Sequence, residues 1–136
     1  MYCFDTDILS ATMRRAPSLP VVRRLAQVPP HEQFTTTITL GEFLFGAAKR
    51  DSDRLSRQIR DLVRGALTIL PFDEAAAEVY GPLRARLESE GQPLAEPYLR
   101  IASIALALDL TVVSGNTRHF ARIPDLRIED WLDTED

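Results

Sequence analysis

Four positions in this chain combine residue types and placements that could carry chemistry at one point. Asp5 directly follows the short apolar run Tyr2-Cys3-Phe4. Glu42 lies one helical turn beyond the β-branched run FTTTIT at residues 34–39. Asn116 follows the apolar run at residues 110–113 across Ser114-Gly115. Tyr98 lies in the first turn of the most apolar helical stretch. In open parallel sheets, ligands bind beyond the carboxyl ends of the strands, so polar residues just after strands are the ones to weigh. If these four ends converge, they form a small pocket with at least two carboxylates. Oxygen-rich pockets of this kind bind Mg2+ or Mn2+. Such ions activate water and neutralise phosphoryl charge.

Each residue also has a purely structural role open to it. Asp5 suits a turn, but a carboxylate at a strand end favours function. Asp7 reads as the N-cap of the first helix. Thr39-Leu40-Gly41-Glu42 has capping-box spacing. That role is compatible with a pocket, because helix N-termini favour carboxylates. Asn116 fits a Gly-Asn turn. His119 precedes core-like Phe120 and reads as a surface or supporting residue rather than a catalytic base. Cys3 reads as a small buried strand residue, and Glu96 as a cap before Pro97.

The elements that must position these residues alternate between strand and helix. Strands are expected at residues 2–4, 34–39, 68–70, 110–113 and 126–128. Helices are expected from Asp7, over 21–28, from Thr39, over 53–67, over 74–89 behind Asp73, and over 97–108. Residues 53–67 place Leu55, Ile59, Leu62, Val63 and Ala66 at helical spacing beneath a charged face. Residues 97–108 are apolar nearly all round, which predicts a central buried helix. Trp131 reads as a closing apolar anchor. The expected fold is α/β: a three-layer α/β/α domain with a short, mainly parallel sheet.

Composition narrows the remaining classes. A chain of 136 residues suits a single domain over 1–136, with an acidic tail from about residue 133. At 45% hydrophobic and 26% charged, it is not disordered or fibrous. No apolar run is long enough to span a bilayer, and the first residues lack the pattern of a signal peptide. A single cysteine fits a reducing cytoplasm. Cys3, His31 and His119 are too few and too scattered for a zinc site. The net charge of −4 argues weakly against nucleic acid, yet 15 of the 16 basic residues are arginines, whose forks suit phosphate. A phosphoacceptor receiver domain needs a lysine after a late strand. The only lysine, Lys49, falls inside an expected helix.

Four segments in order carry a resemblance over nearly the whole chain. They are FDTDILS at 4–10, TLGEFLFGAAKR at 39–50, GQPLAEPYLRIASIALALDLTVVSGNTRHFARI at 91–123 and LRIEDWL at 126–132. The chain resembles the PIN-domain ribonucleases and, among them, the VapC toxins of bacterial toxin–antitoxin pairs. The resemblance implies a Mg2+- or Mn2+-dependent endoribonuclease in which acidic side chains hold the metal. It maps the first acid to Asp5, the second to Glu42, and a further site to Asn116, which ligates only as a neutral oxygen or holds a water. It also implies a cognate antitoxin, contact with operator DNA only through that antitoxin, and an RNA substrate. A homodimer is expected as well, because small α/β domains with several apolar helix faces often pair with two-fold symmetry. An antitoxin arginine is expected to enter the acidic pocket, and residues 21–28 and 53–67 are the expected dimer contacts.

The departure is Tyr98, which stands where the family pattern has an aspartate. Its spacing to Ile101, Ala102 and Ala105 holds it on the inner face of the helix. A phenol is neutral near pH 7 and a poor Mg2+ ligand. The expectation is therefore a ribonuclease fold blunted at one ligand, either by substitution or as a naturally degenerate member; the intact remainder of the site favours substitution. The alternative is a non-catalytic PIN module that works by binding its antitoxin.

Overall fold

A computed structural model describes residues 1–132; the acidic tail expected from about 133 lies outside the described residues. Five short strands form one sheet: β1 (Tyr2–Phe4), β2 (Gln33–Thr36), β3 (Thr68–Leu70), β4 (Thr111–Val113) and β5 (Ile128–Glu129). Their order is β3-β2-β1-β4-β5, and every pairing is parallel. The helices are α1 (Thr6–Met13), α2 (Leu19–Gln27), α3 (Thr37–Lys49), α4 (Asp53–Ala66), α5 (Glu74–Ser89), α6 (Glu96–Ala107) and the short α7 (Thr117–Phe120).

Strand periodicity divides the core in two. Cys3 and Val112 point into one cluster, with Leu87 of α5 and Ile101 and Ala105 of α6. Their neighbours Phe4 and Val113 point into the other, with Ile8 of α1, Phe43 of α3 and Ile59 of α4. Successive residues of a strand face opposite sides, so three-residue strands suffice to join two helical layers. The result is the α/β/α arrangement expected from the sequence. α6 is the buried helix of the second layer: Leu99, Ile101, Ala102, Ser103, Ile104 and Ala105 are all buried, while Leu108 just past its end is exposed. Trp131 closes the first layer, 2% exposed, with its ring 5.2 Å from those of both Tyr2 and Phe4.

Several boundaries differ from expectation, and each has a local cause. The first helix starts at Thr6, with Asp5 as N-cap; its Oδ1 accepts from Thr6 N at 2.8 Å. Asp7 is therefore inside the first turn and is not the cap. β2 stops at Thr36, because Thr36 Oγ1 accepts from Thr39 N at 3.1 Å and opens α3 three residues early. The expected capping box of Thr39 and Glu42 does not form, and Glu42 lies in the second turn. Pro20 sits in the first turn of α2 instead of preceding it, as suits a residue with no N–H to donate. Glu96 is the first residue of α6, whose N-cap is Ala95. The last strand falls at Ile128–Glu129 instead of 126–128.

Candidate active site

β1 lies at the middle of the sheet. From it the chain builds outward to β2 and β3 on one side, then returns to β4 and β5 on the other. The reversal leaves a crevice at the carboxyl ends of β1 and β4, the general position for ligands in open α/β sheets. A cavity of about 280 Å³ opens there, lined by Asp5, Asp7, Glu42, Tyr98, Ile101 and Asn116 among others. All four positions singled out from the sequence thus border one space.

Asp5 is the fixed member, with 3% exposure. Its backbone N–H extends the sheet ladder to Val113 O at 3.0 Å. Its Oδ1 is held by Thr6 N, and its Oδ2 accepts from Ser114 Oγ at 2.8 Å. Ser114 Oγ in turn accepts from Asn116 N at 2.9 Å, which ties the turn after β4 to the carboxylate after β1. Glu42 reaches in from α3, more exposed, and its Oε1 accepts from Thr6 Oγ1 at 3.2 Å. Desolvation, with a further push from the Asp5 charge, lifts the Glu42 carboxyl above its usual range against that hydrogen bond.

Asp7, read from sequence as a cap, is the third carboxylate of the cavity. Its Oδ2 accepts from Gly115 N at 2.8 Å, while Oδ1 is buried without a partner. Burial first, then the Asp5 charge, raises its carboxyl. A Cβ at position 115 would stand 2.7 Å from Asp7 Oδ2. A side chain at 115 could enter only by displacing the Asp7 carboxylate. Asp7 was missed as a pocket residue, and Ser114 as the donor that holds Asp5 from behind the pocket; the available signals were Asp7 two residues beyond Asp5, and Ser114 directly after a strand.

Tyr98 lines the same cavity as these acids. Its ring stacks on His119, with centroids 4.6 Å apart and planes 12° from parallel, and meets Phe120 edge-on at 5.4 Å. Burial, followed by the charges of Asp5, Glu42 and Asp7, raises the phenol further, so it stays neutral across the physiological range. Its position is fixed from behind: Tyr80 Oη donates to Glu96 Oε1 at 2.6 Å, and Arg84 and Arg100 pair with the same carboxylate. That network clamps α5 to the first turn of α6. Cys3 is a fully buried strand residue, as expected, with its thiol pushed up to about 12 by burial.

The donor set suits a divalent cation only in part. Three carboxylates line one cavity, one buried oxygen lacks a partner, and none of the three has a basic side chain within ion-pair distance among the described residues. Against this, no group of three or more His, Cys, Asp or Glu side chains among the described residues has the closeness of a ready metal site.

The PIN domain family model matches residues 2–126. The tRNA(fMet)-specific endonuclease VapC of Shigella flexneri is 30% identical over 130 residues, spanning 96% of this chain and 97% of that protein. Among solved structures, VapBC-1 from nontypeable Haemophilus influenzae superimposes with a TM-score of 0.86 at 28% identity, covering 97% of this chain and 98% of that one. VapBC2 from Rickettsia felis, bound to a DNA fragment from its promoter, gives a TM-score of 0.81 at 28% identity, covering 96% and 98%.

Proposed function

The chain belongs to the PIN-domain family with the VapC ribonucleases as relatives, and from that premise we propose that it is the toxin of a toxin–antitoxin pair, built as a metal-dependent endoribonuclease and blunted by Tyr98. The observation that carries this reading is the convergence of Asp5, Glu42, Asn116 and Tyr98 on one cavity at the switch point of the sheet.

Asp5 and Glu42 would hold Mg2+ or Mn2+, with Asn116 giving a neutral oxygen or a water. The bound ion supplies activation of water and neutralisation of phosphoryl charge. The protein's own part is orientation. Ser114 and Thr6 N fix the two oxygens of Asp5, and Thr6 Oγ1 steers Glu42 toward the same space. Tyr98 brings a neutral ring where an acid would add charge, and its stacking on His119 holds it there. Ion affinity falls accordingly, because Mg2+ sites built from few carboxylates lean on the substrate phosphate to complete them.

The partners follow from the same surfaces. A cognate antitoxin, bound to operator DNA through its own domain, inserts an arginine among the pocket carboxylates; that charge offsets the cost of burying them. The relatives captured as VapBC, one with promoter DNA, support this assembly. Homodimerisation through α2 and α4 is supported on α2 by Leu19 and Val22, which are 59% and 40% exposed; light scattering showing only monomer at high concentration would refute it. The site of action is the cytoplasm, consistent with the single buried cysteine. No helix among the described residues is long and apolar enough to cross a membrane.

Tyr98 itself favours a second reading, a non-catalytic PIN module that works by binding its antitoxin. Calorimetric titration with Mn2+ separates the two. The blunted nuclease binds Mn2+ weakly, and loses that binding with Asp5→Asn. A pure binding module shows no Mn2+ binding that depends on Asp5.

A further inference from the structure

The cavity at Asp5 is not isolated. It shares Thr6, Ser10 and Glu42 with a groove of about 480 Å³ between α1, α3 and α4, floored by Phe43, Ala47 and Ile59. That groove shares Met13, Arg14, Arg50 and Leu55 with a third cavity of about 520 Å³. The last cavity is lined by Arg14, Arg15, Arg50 and Arg54, all exposed. Arg14 and Arg50 are the C-caps of α1 and α3, and Arg54 lies in the first turn of α4, so the ends of three helices bring the cluster together. Among the described residues, none of the four has a carboxylate within ion-pair distance, although Asp51 and Asp53 are close in sequence. The net-acidic chain therefore holds a concentrated patch of four uncompensated guanidinium groups. Arg14 and Asp5 flank opposite ends of α1, whose length is roughly 12 Å.

We propose that Arg14, Arg15, Arg50 and Arg54 form the phosphate track for single-stranded RNA, leading along the α1–α3–α4 groove to the carboxylate cavity. The inference rests on the ribonuclease reading above and adds the residues that position the substrate. Carboxylates at the cutting point repel the RNA backbone, so attraction has to come from a neighbouring surface. Arginine forks match phosphate oxygens, and the groove between offers apolar surface, from Met13, Phe43, Ala47, Leu55 and Ile59, against which bases can lie. The track is a few nucleotides of extended strand in length. It binds by charge without reading sequence, because phosphate contacts position but do not specify.

The test is fluorescence anisotropy with the full chain, antitoxin-free and in EDTA, and a labelled single-stranded RNA of about 16 nucleotides. Affinity is measured across a salt series for the parent, for Arg14→Gln/Arg15→Gln/Arg50→Gln/Arg54→Gln, and for the off-track control Arg86→Gln/Arg122→Gln/Arg127→Gln, exposed arginines outside the site, the α5–α6 clamp and the dimer helices. Each lost phosphate contact lowers the log–log salt slope by about 0.7, so the track variant should lose roughly 2–3 in slope while the control keeps the parent slope. Circular dichroism checks folding. If the fourfold variant is unfolded, the two pairwise variants, at 14/15 and at 50/54, should each show about half the loss. Equal slope losses in the track variant and the control overturn the track, as does parent-like binding by the track variant. Oligoglutamate binding that needs the four arginines while RNA binding does not also overturns it and assigns the cavity to an acidic peptide. A parent chain with no RNA affinity at any salt overturns the ribonuclease reading along with the track, whereas RNA binding indifferent to the four arginines overturns the track alone.

Discussion

Ser114 Oγ donates to Asp5 Oδ2 at 2.8 Å, joining residues 109 apart in sequence across adjacent strand ends. Both residues are buried, so the bond fixes the carboxylate inside the crevice and is not a surface contact. Ser114→Ala leaves a buried carboxylate oxygen without its donor and Asn116 N without its acceptor. The expected cost is about 1.5–3 kcal/mol in urea-induced unfolding, the range for hydrogen bonds to charged groups. A loss well under that range would show that Asp5 does not depend on Ser114.

Gly115→Ala should disturb the site without touching a carboxylate. The new Cβ would stand 2.7 Å from Asp7 Oδ2 and 3.0 Å from Leu132 Cδ1. One of them has to shift, and the hydrogen bond from Gly115 N to Asp7 should break. In a double-mutant cycle, Asp7→Ala should recover part of the Gly115→Ala stability loss, because it removes the nearer obstacle. Strict additivity would mean that the crowding lies elsewhere.

The acidic crevice makes the fold less stable when ionised. Burial and the Asp5 charge raise the Asp7 carboxyl above its value in the unfolded chain, and burial does the same for Glu42. A raised acid favours the folded state when protonated. Its penalty is full above the folded pKa and is relieved as pH falls through that value toward the ordinary carboxylate range. Asp7→Asn keeps an oxygen for Gly115 N and removes the charge. Its Tm should exceed the parent's by roughly 2–5 °C at pH 8, with the gap closing toward pH 4. A gap that widens on acidification would reverse the sign of this effect.

Trp131 anchors the last segment against Tyr2 and Phe4, with the Arg24 guanidinium 4.8 Å over its ring. Trp131→Ala should cost about 3–5 kcal/mol, as for large buried aromatics. Because Leu132 follows directly and packs near Gly115, the same change should loosen the turn that carries Asn116. Hydrogen exchange at Gly115 and Asn116 should rise with it, and unchanged protection would separate the anchor from the site.

Much of this arrangement was legible in the sequence. Short apolar runs ending in Asp5 and in Ser114-Gly115-Asn116 announced parallel strand ends, and the all-round apolar α6 announced the buried helix that carries Tyr98. Helix starts were read less well, because several neighbouring residues were chemically able to cap. Thr36 and Thr39 both suit an N-cap, and only the folded backbone puts Thr36 Oγ1 within reach of Thr39 N. Asp5 and Asp7 present the same ambiguity: Asp5 caps the helix and also faces the crevice, which frees Asp7 to meet Gly115. The arginine cavity was not legible, since Arg14, Arg50 and Arg54 come from three separate elements.

Tyr98 is the residue on which the catalytic reading turns. The direct measurement is cleavage of total cellular RNA in Mn2+ by this chain and by Tyr98→Asp, side by side, with Tyr98→Phe as the control. The aspartate variant should cut at least roughly a hundredfold faster, as expected when a missing anionic ligand is restored, and the phenylalanine variant should match the parent. If the parent cuts as fast as Tyr98→Asp, position 98 is not a metal-ligand position, and Asp7 or Asn116 must carry that part of the site.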